Sequence, residues 1–182
     1  MTEKEPGIRP RQTIWHTLDI AARYSLPGAL TILILLLLSL PIGVPGQAQM
    51  QPAWALASVF FWSLFRPASL PAALVFNVGL LLDLLAQGPI GLHPLLLLLT
   101  HAAALRWRRF LTRQGFGTVW LAFIGVATVA AAAEYAAVSL LTWRALPPWP
   151  AVFECLLAIG AYPALSALLT RAHTTVAAPE RA

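Results

Sequence analysis

Leucine-rich and alanine-rich runs recur along this chain at the length of a membrane crossing, separated by short stretches that hold many of its prolines and most of its charges. A helix rises about 1.5 Å per residue, so roughly 20 apolar residues cover the roughly 30 Å hydrocarbon core of a bilayer. Six stretches are candidates: residues 24–44, 51–65, 68–86, 90–108, 118–143 and 150–170. The second, QPAWALASVFFWSLF, would rise only about 22 Å and is expected to be a short or partly re-entrant span. The pattern predicts an all-α integral membrane protein with about six transmembrane helices in one compact bundle.

The segments follow one another with no polar stretch long enough to fold alone in water, so residues 24–170 are expected to form one transmembrane domain. Residues 1–23 precede it as a cytoplasmic tail. Within that tail, RQTIWHTLDIAARY places Ile14, Leu18 and Ala21 on one helical face, flanked by Arg11 and Arg23. This suits either an amphipathic helix on the inner leaflet or a solvated leader to the first span. The apolar run of the first span is too long for a signal peptide, despite the Gly46-Gln47-Ala48 that follows it. Residues 171–182, mostly HTTVAAPERA, are expected to be a disordered cytoplasmic tail.

Composition agrees with a membrane protein. Hydrophobic residues make up 59% of the 182 positions and charged residues 10%, against roughly a quarter charged in soluble domains. The net charge of +5 comes from basic residues clustered at the ends of apolar runs, which is the positive-inside pattern and not a nucleic-acid footprint. With both termini inside, eleven of the twelve Lys and Arg fall in cytoplasmic segments, and Arg144 alone falls outside. That split favours an even number of spans. Trp107 and Trp120 fall at inner ends, and Trp54, Trp143 and Trp149 at outer ends, as an aromatic belt requires. The single cysteine, Cys155, allows no intrachain disulfide and no cysteine metal site.

Charged and polar groups inside the spans are the candidates for chemistry, because a carboxylate in hydrocarbon is costly unless paired, wet or functional. The stretch GLLLDLLAQGPIGLHPLLLL carries Asp83, then a Gln87-Gly88-Pro89 turn, then Gly91, His93 and Pro94. Gly79 lies one helical turn before Asp83 on the same face. A neighbouring helix is expected to approach at Gly79 while His93 supplies a donor to Asp83, the intervening turn being a packed, irregular feature. Glu134 shares its face with Ala127, Ala130 and Ala131, which suits a protein-facing carboxylate. Two arrangements remain compatible with Asp83, His93, Glu134, Arg144 and Glu154. Each is separately satisfied, or together they line one polar, outward-opening cavity that His101 extends inward.

No Gly-rich phosphate loop, HExxH or GxSxG occurs, and nothing sets three or four metal ligands at fixed spacing. The sequence therefore predicts no catalytic residues, no metal and no cofactor. A lipid-linked precursor binder would bring Arg144 to a phosphate, and no second basic residue stands on that side to help it.

Residues 52–109 resemble the rod shape-determining protein MreD family. The likeness rests on Pro52 opening an aromatic-rich second span and on Arg66 and Pro67 in a short turn. It continues in Gly79 and Asp83 spaced as Gly-x-x-x-Asp, the Gln87–Pro89 turn, and Ile90-Gly91 opening the next span. Length, six spans and Glu134 extend the likeness over the whole chain, although the fifth span here is richer in alanine than the family pattern. The resemblance implies a non-enzymatic, multi-pass subunit of the bacterial inner membrane with both termini cytoplasmic. It would couple peptidoglycan synthesis to rod shape within the cell-elongation complex. It implies an MreC-like scaffold as partner and, through it, MreB, RodA and a penicillin-binding transpeptidase, with membrane lipid around them. It also implies a bundle similar to the substrate-binding subunits of energy-coupling-factor transporters. That similarity sets the alternative function, a small-molecule-binding membrane subunit of a transporter.

Overall fold

The computed structural model describes residues 14–40, 47–86, 89–144 and 146–177, so the tail before Ile14 and the turn residues Gln87 and Gly88 lie outside the described residues. Six α-helices run in order: α1 Ile14–Ser39, α2 Gln47–Phe65, α3 Ala72–Ala86, α4 Leu92–Leu111, α5 Phe116–Thr142 and α6 Trp149–Ala177. A 3₁₀ turn, Pro67–Ser69, joins α2 to α3. No strand occurs among the described residues. Two of the helices, over Phe116–Thr142 and Trp149–Arg171, are both long and apolar enough to cross a membrane; the apolar parts Pro27–Ser39 and Ala72–Ala86 are shorter.

The segment expected to be a short span is the centre of the bundle. Helix α2 packs against α1, α4 and α6, and Ala55, Ala57, Val59, Phe60, Trp62 and Leu64 are almost wholly enclosed. It begins four residues earlier than its apolar run suggests, and its 19 residues rise about 28 Å. The polar start has a use. Gln47 donates to the carbonyl oxygens of Leu38, at 2.8 Å, and Leu40, and Gln51 donates to Leu38 at 3.3 Å. These side chains meet carbonyls that the end of α1 leaves without intrahelical partners.

The surface is richer in large apolar residues than that of a protein folded in water, and the mostly hydrophobic interior also encloses polar groups. Leu33, Leu95, Leu99, Leu121, Leu140 and Leu156 are exposed, while Ser58, Ser63, Asp83, His93, Thr100 and His101 are buried. Lipid accepts the leucines at no cost, whereas each polar group needs a partner within the protein. Ser63 Oγ and His101 Nδ1 meet at 2.7 Å between α2 and α4. Phe123 stacks on Tyr162 with ring centroids 4.2 Å apart, and Phe60 packs on both, which locks α2, α5 and α6 together. In α6, Pro163 has no N–H to give the carbonyl of Ile159, and Trp120 Nε1 of α5 donates to that oxygen at 3.1 Å instead.

Two boundaries differ from the sequence reading. Residues 14–23 belong to the same continuous helix as the first apolar run, since nothing between Ile14 and Ser39 stops it except Pro27, which the helix carries internally. Helix α6 continues to Ala177, past the expected boundary at 170, because its threonines and alanines meet no glycine or proline before Pro179.

Candidate functional site

The turn between α3 and α4 is held by one carboxylate. Asp83, 1% exposed near the end of α3, accepts from the backbone N–H of Gly91 at 2.5 Å and from that of His93 at 3.1 Å. Its Oδ1 also lies 2.6 Å from His93 Nδ1. The first N–H groups of a helix have no intrahelical acceptor and carry partial positive charge. Asp83 therefore caps the start of α4 from a different helix. Pro94, the third residue of α4, lacks an N–H at a position where none would be used.

Gly79 and Gly91 allow that geometry for different reasons. A Cβ on Gly79 would lie 2.5 Å from both N and Cα of Pro94 and 2.9 Å from the carbonyl carbon of His93, so α3 and α4 touch backbone to backbone there. Gly91 has φ +99°, a left-handed conformation that a side chain disfavours, and open space around it. The expected approach at Gly79 and the expected donor at His93 are both present. The two backbone donors were not anticipated, because N–H groups leave no mark in a sequence. One feature differs: Ile90 is 78% exposed and Gly91 is exposed too, so the described part of the turn lies on the surface and close packing begins only at Leu92. An isoleucine there faces outward without penalty if its surroundings are apolar.

Beyond Asp83 the polar groups continue into α5 and α6. His93 Nε2 lies 3.6 Å from Glu134 Oε1, too far for a hydrogen bond, and has no hydrogen-bond partner. Glu134, on α5, and Glu154, on α6, line the same small chamber as His93, with Pro52, Leu96 and Ala131 among its walls. Its volume is ≈ 20 Å³, room for about one water-sized group. The chamber adjoins an open cleft of ≈ 290 Å³ that shares Pro52, His93, Glu134 and Glu154 and is otherwise lined mostly by apolar residues.

Four of the five residues considered for a shared cavity thus form a continuous series from Asp83 through His93 to Glu134 and Glu154. Arg144 does not join it: this residue is exposed, just past the left-handed Trp143 that ends α5. His101 does not extend the chamber either, since its ring is tied to Ser63. Arg66 and Pro67 stand at the far end of α3, where the Arg66 N–H bonds the Trp62 carbonyl at 2.7 Å and Pro67 opens the 3₁₀ turn. Arg108, one of the basic residues at the end of the fourth apolar run, does more than set charge, since its Nε donates to the Leu64 carbonyl at the end of α2 at 2.7 Å. Among the described residues no set of three or more histidine, cysteine, aspartate or glutamate side chains is placed to hold a metal ion.

An apolar exterior, an apolar core that encloses a few polar groups, and an α3 carboxylate that takes two backbone N–H groups at the start of α4 describe an all-helical bundle compatible with a membrane-associated protein. The chain belongs to the rod shape-determining protein MreD family, whose model matches residues 23–171. That is a structural family of the Mre shape-determining system. No curated relative and no solved structure matches the chain.

Proposed function

We propose that the protein is a non-enzymatic, multi-pass subunit of the bacterial inner membrane, with both termini cytoplasmic, that couples peptidoglycan synthesis to rod shape within the cell-elongation complex. The observation that carries this reading is the family match over residues 23–171, which reaches into all six helices. An MreC-like scaffold is the direct partner in this reading, and MreB, RodA and a penicillin-binding transpeptidase are reached through it. Asp83, Gly79, Gly91 and His93 fix the α3–α4 pair as a rigid unit. Arg106, Arg108, Arg109 and Arg113 hold the cytoplasmic end of α4 against anionic lipid.

The alternative, a small-molecule-binding subunit of a transporter built like those of energy-coupling-factor systems, draws support from the cleft beside Glu134 and Glu154. The chamber at His93, ≈ 20 Å³, is far below the about 300–1,000 Å³ usual for small-molecule sites, and the cleft beside it, ≈ 290 Å³, reaches only the lower end of that range. A mild-detergent pull-down of the tagged protein from its native bacterium, analysed for proteins and small molecules, separates the two. Recovery of MreC-like and glycan-synthase partners supports the first reading. Recovery of an ATPase-containing transporter module with a tightly bound metabolite overturns it.

A further inference from the structure

Between α4 and α5 the bundle surface carries a groove of ≈ 520 Å³ that no described residue fills. Short side chains make the room: Ala103 of α4 lines it from one side, and Ala122, Gly125 and Ala130 of α5 from the other. A Cβ on Gly125 would meet nothing within 4 Å, so glycine at this position serves no close contact within the chain. Apart from the Thr100 hydroxyl and the Trp107 indole, the lining is hydrocarbon, and the exposed Leu99 and Val129 belong to it.

Length and charge together decide what lies in this groove. It runs from Trp107 to Leu96 on α4 and from Ala122 to Ala133 on α5, about 16 Å at 1.5 Å per residue. That is half of the roughly 30 Å hydrocarbon core, the reach of one leaflet's acyl chains. A helix crossing the membrane would need a seat along the whole core. Trp107 is exposed at the basic end of α4, where an indole sits at headgroup level. Leu99, Ala103 and Arg106 fall on one strip of α4, and the same strip runs on to Phe110 and toward Arg113. Arg106 and Arg113 are exposed, and their guanidinium groups make no hydrogen bond or ion pair among the described residues. No carboxylate lines the groove. Two unpaired guanidinium groups at the mouth of an acyl-sized groove are complementary to a phosphate that carries such a chain.

We propose that the α4–α5 groove holds one anionic phospholipid of the inner leaflet, an acyl chain lying along Ala103 and Gly125 and the phosphate held by Arg106 and Arg113. The inference rests only on the membrane setting of the reading above. A pull-down without MreC-like partners would leave it standing, and a failed lipid titration would leave that reading intact.

The test titrates the full-length protein in neutral detergent with dioleoylphosphatidylglycerol and, separately, with dioleoylphosphatidylcholine, and counts bound lipid by native mass spectrometry. The expected result is one phosphatidylglycerol per protein, held roughly 30-fold more tightly than phosphatidylcholine, the worth of two basic residues at an anionic headgroup. Arg106→Gln/Arg113→Gln removes that preference, and Arg144→Gln, at the other end of the bundle, leaves it unchanged. Gly125→Leu sets a side chain into the groove and weakens both lipids; should it fail to fold, the arginine pair and the two-lipid comparison decide. Equal affinity for the two lipids, a preference retained without Arg106 and Arg113, or undiminished binding in a folded Gly125→Leu protein overturns the proposal. In native membranes a photoactivatable residue at Val129 is expected to form a phospholipid adduct. Its absence, with or without a protein adduct in its place, overturns the proposal as well.

Discussion

Asp83 and His93 stand ten residues apart in sequence and 2.6 Å apart in space, and the same carboxylate also takes the backbone N–H groups of Gly91 and His93. One side chain thus closes the turn, caps α4 and orients the imidazole toward Glu134. Three hydrogen bonds to a buried carboxylate make it the point on which the α3–α4 pair depends.

Replacing Asp83 with Asn keeps the shape but leaves one oxygen where two are used, since the Gly91 N–H points at Oδ2 and both His93 groups at Oδ1, so an NH₂ faces at least one backbone donor. Losing one partner of a buried charged network costs about 3–5 kcal/mol, so D83N is expected to lower Tm sharply in detergent and to fail to restore rod shape. Unchanged Tm together with unchanged cell shape would show that the clasp does not matter.

The leucine-rich runs made the helices around the bundle legible, because a residue facing lipid is read from composition alone. Helix α2 was harder to read for the same reason. Its neighbours are protein, so its buried face carries Ala53, Ala55, Ala57, Ser58 and Ser63, and its polar start from Gln47 to Gln51 cut the apolar run to about 22 Å, so that it looked like a short span when it is the most enclosed. The Asp83–His93 pair was legible because a short turn brings adjacent helices together. The meeting of His93 with Glu134 and Glu154 was left open between two arrangements, since nothing in one sequence sets the packing of α4 against α5 and α6. The role of Trp120 left one usable signal, the proline at 163 that frees a carbonyl four residues earlier.

Gly79 and Gly125 form a matched pair. Alanine at 79 would set a Cβ 2.5 Å from the Pro94 backbone, whereas alanine at 125 meets nothing within 4 Å. Overpacking of this kind costs about 1–3 kcal/mol, while a helix interior gains up to about 1 kcal/mol on changing Gly to Ala. G79A is expected to be destabilised and G125A neutral or stabilised, read as Tm in the same detergent. Equal behaviour of the two would contradict the close α3–α4 approach.

Gly91 isolates backbone conformation from packing, since its φ is +99° and its surroundings are open. G91A is expected to cost about 1–2 kcal/mol from left-handed strain alone, and G91N less, because asparagine tolerates that region. A comparison of G91A, G91N and the native protein by thermal melting checks the order. If alanine and asparagine melt alike and as high as glycine, the left-handed start of α4 is not imposed by the fold.

Trp120 and Pro163 make the most discriminating case, because one residue answers a defect created by the other. In α6 the carbonyl of Ile159 would ordinarily bond the N–H of residue 163, and proline has none; Trp120 Nε1 fills that vacancy from α5 at 3.1 Å. W120F keeps the ring but removes the donor, and leaving a sheltered carbonyl without a partner costs about 1–3 kcal/mol. Restoring the intrahelical bond with P163A should make the indole donor dispensable. The expected outcome of the cycle is therefore a smaller loss for W120F in the P163A background than in the native one, by about 1 kcal/mol. Additive effects across the four proteins would mean that the indole contributes by packing and not by its hydrogen bond. A coupling of the expected sign would show that a proline within α6 is tolerated because α5 supplies the missing donor.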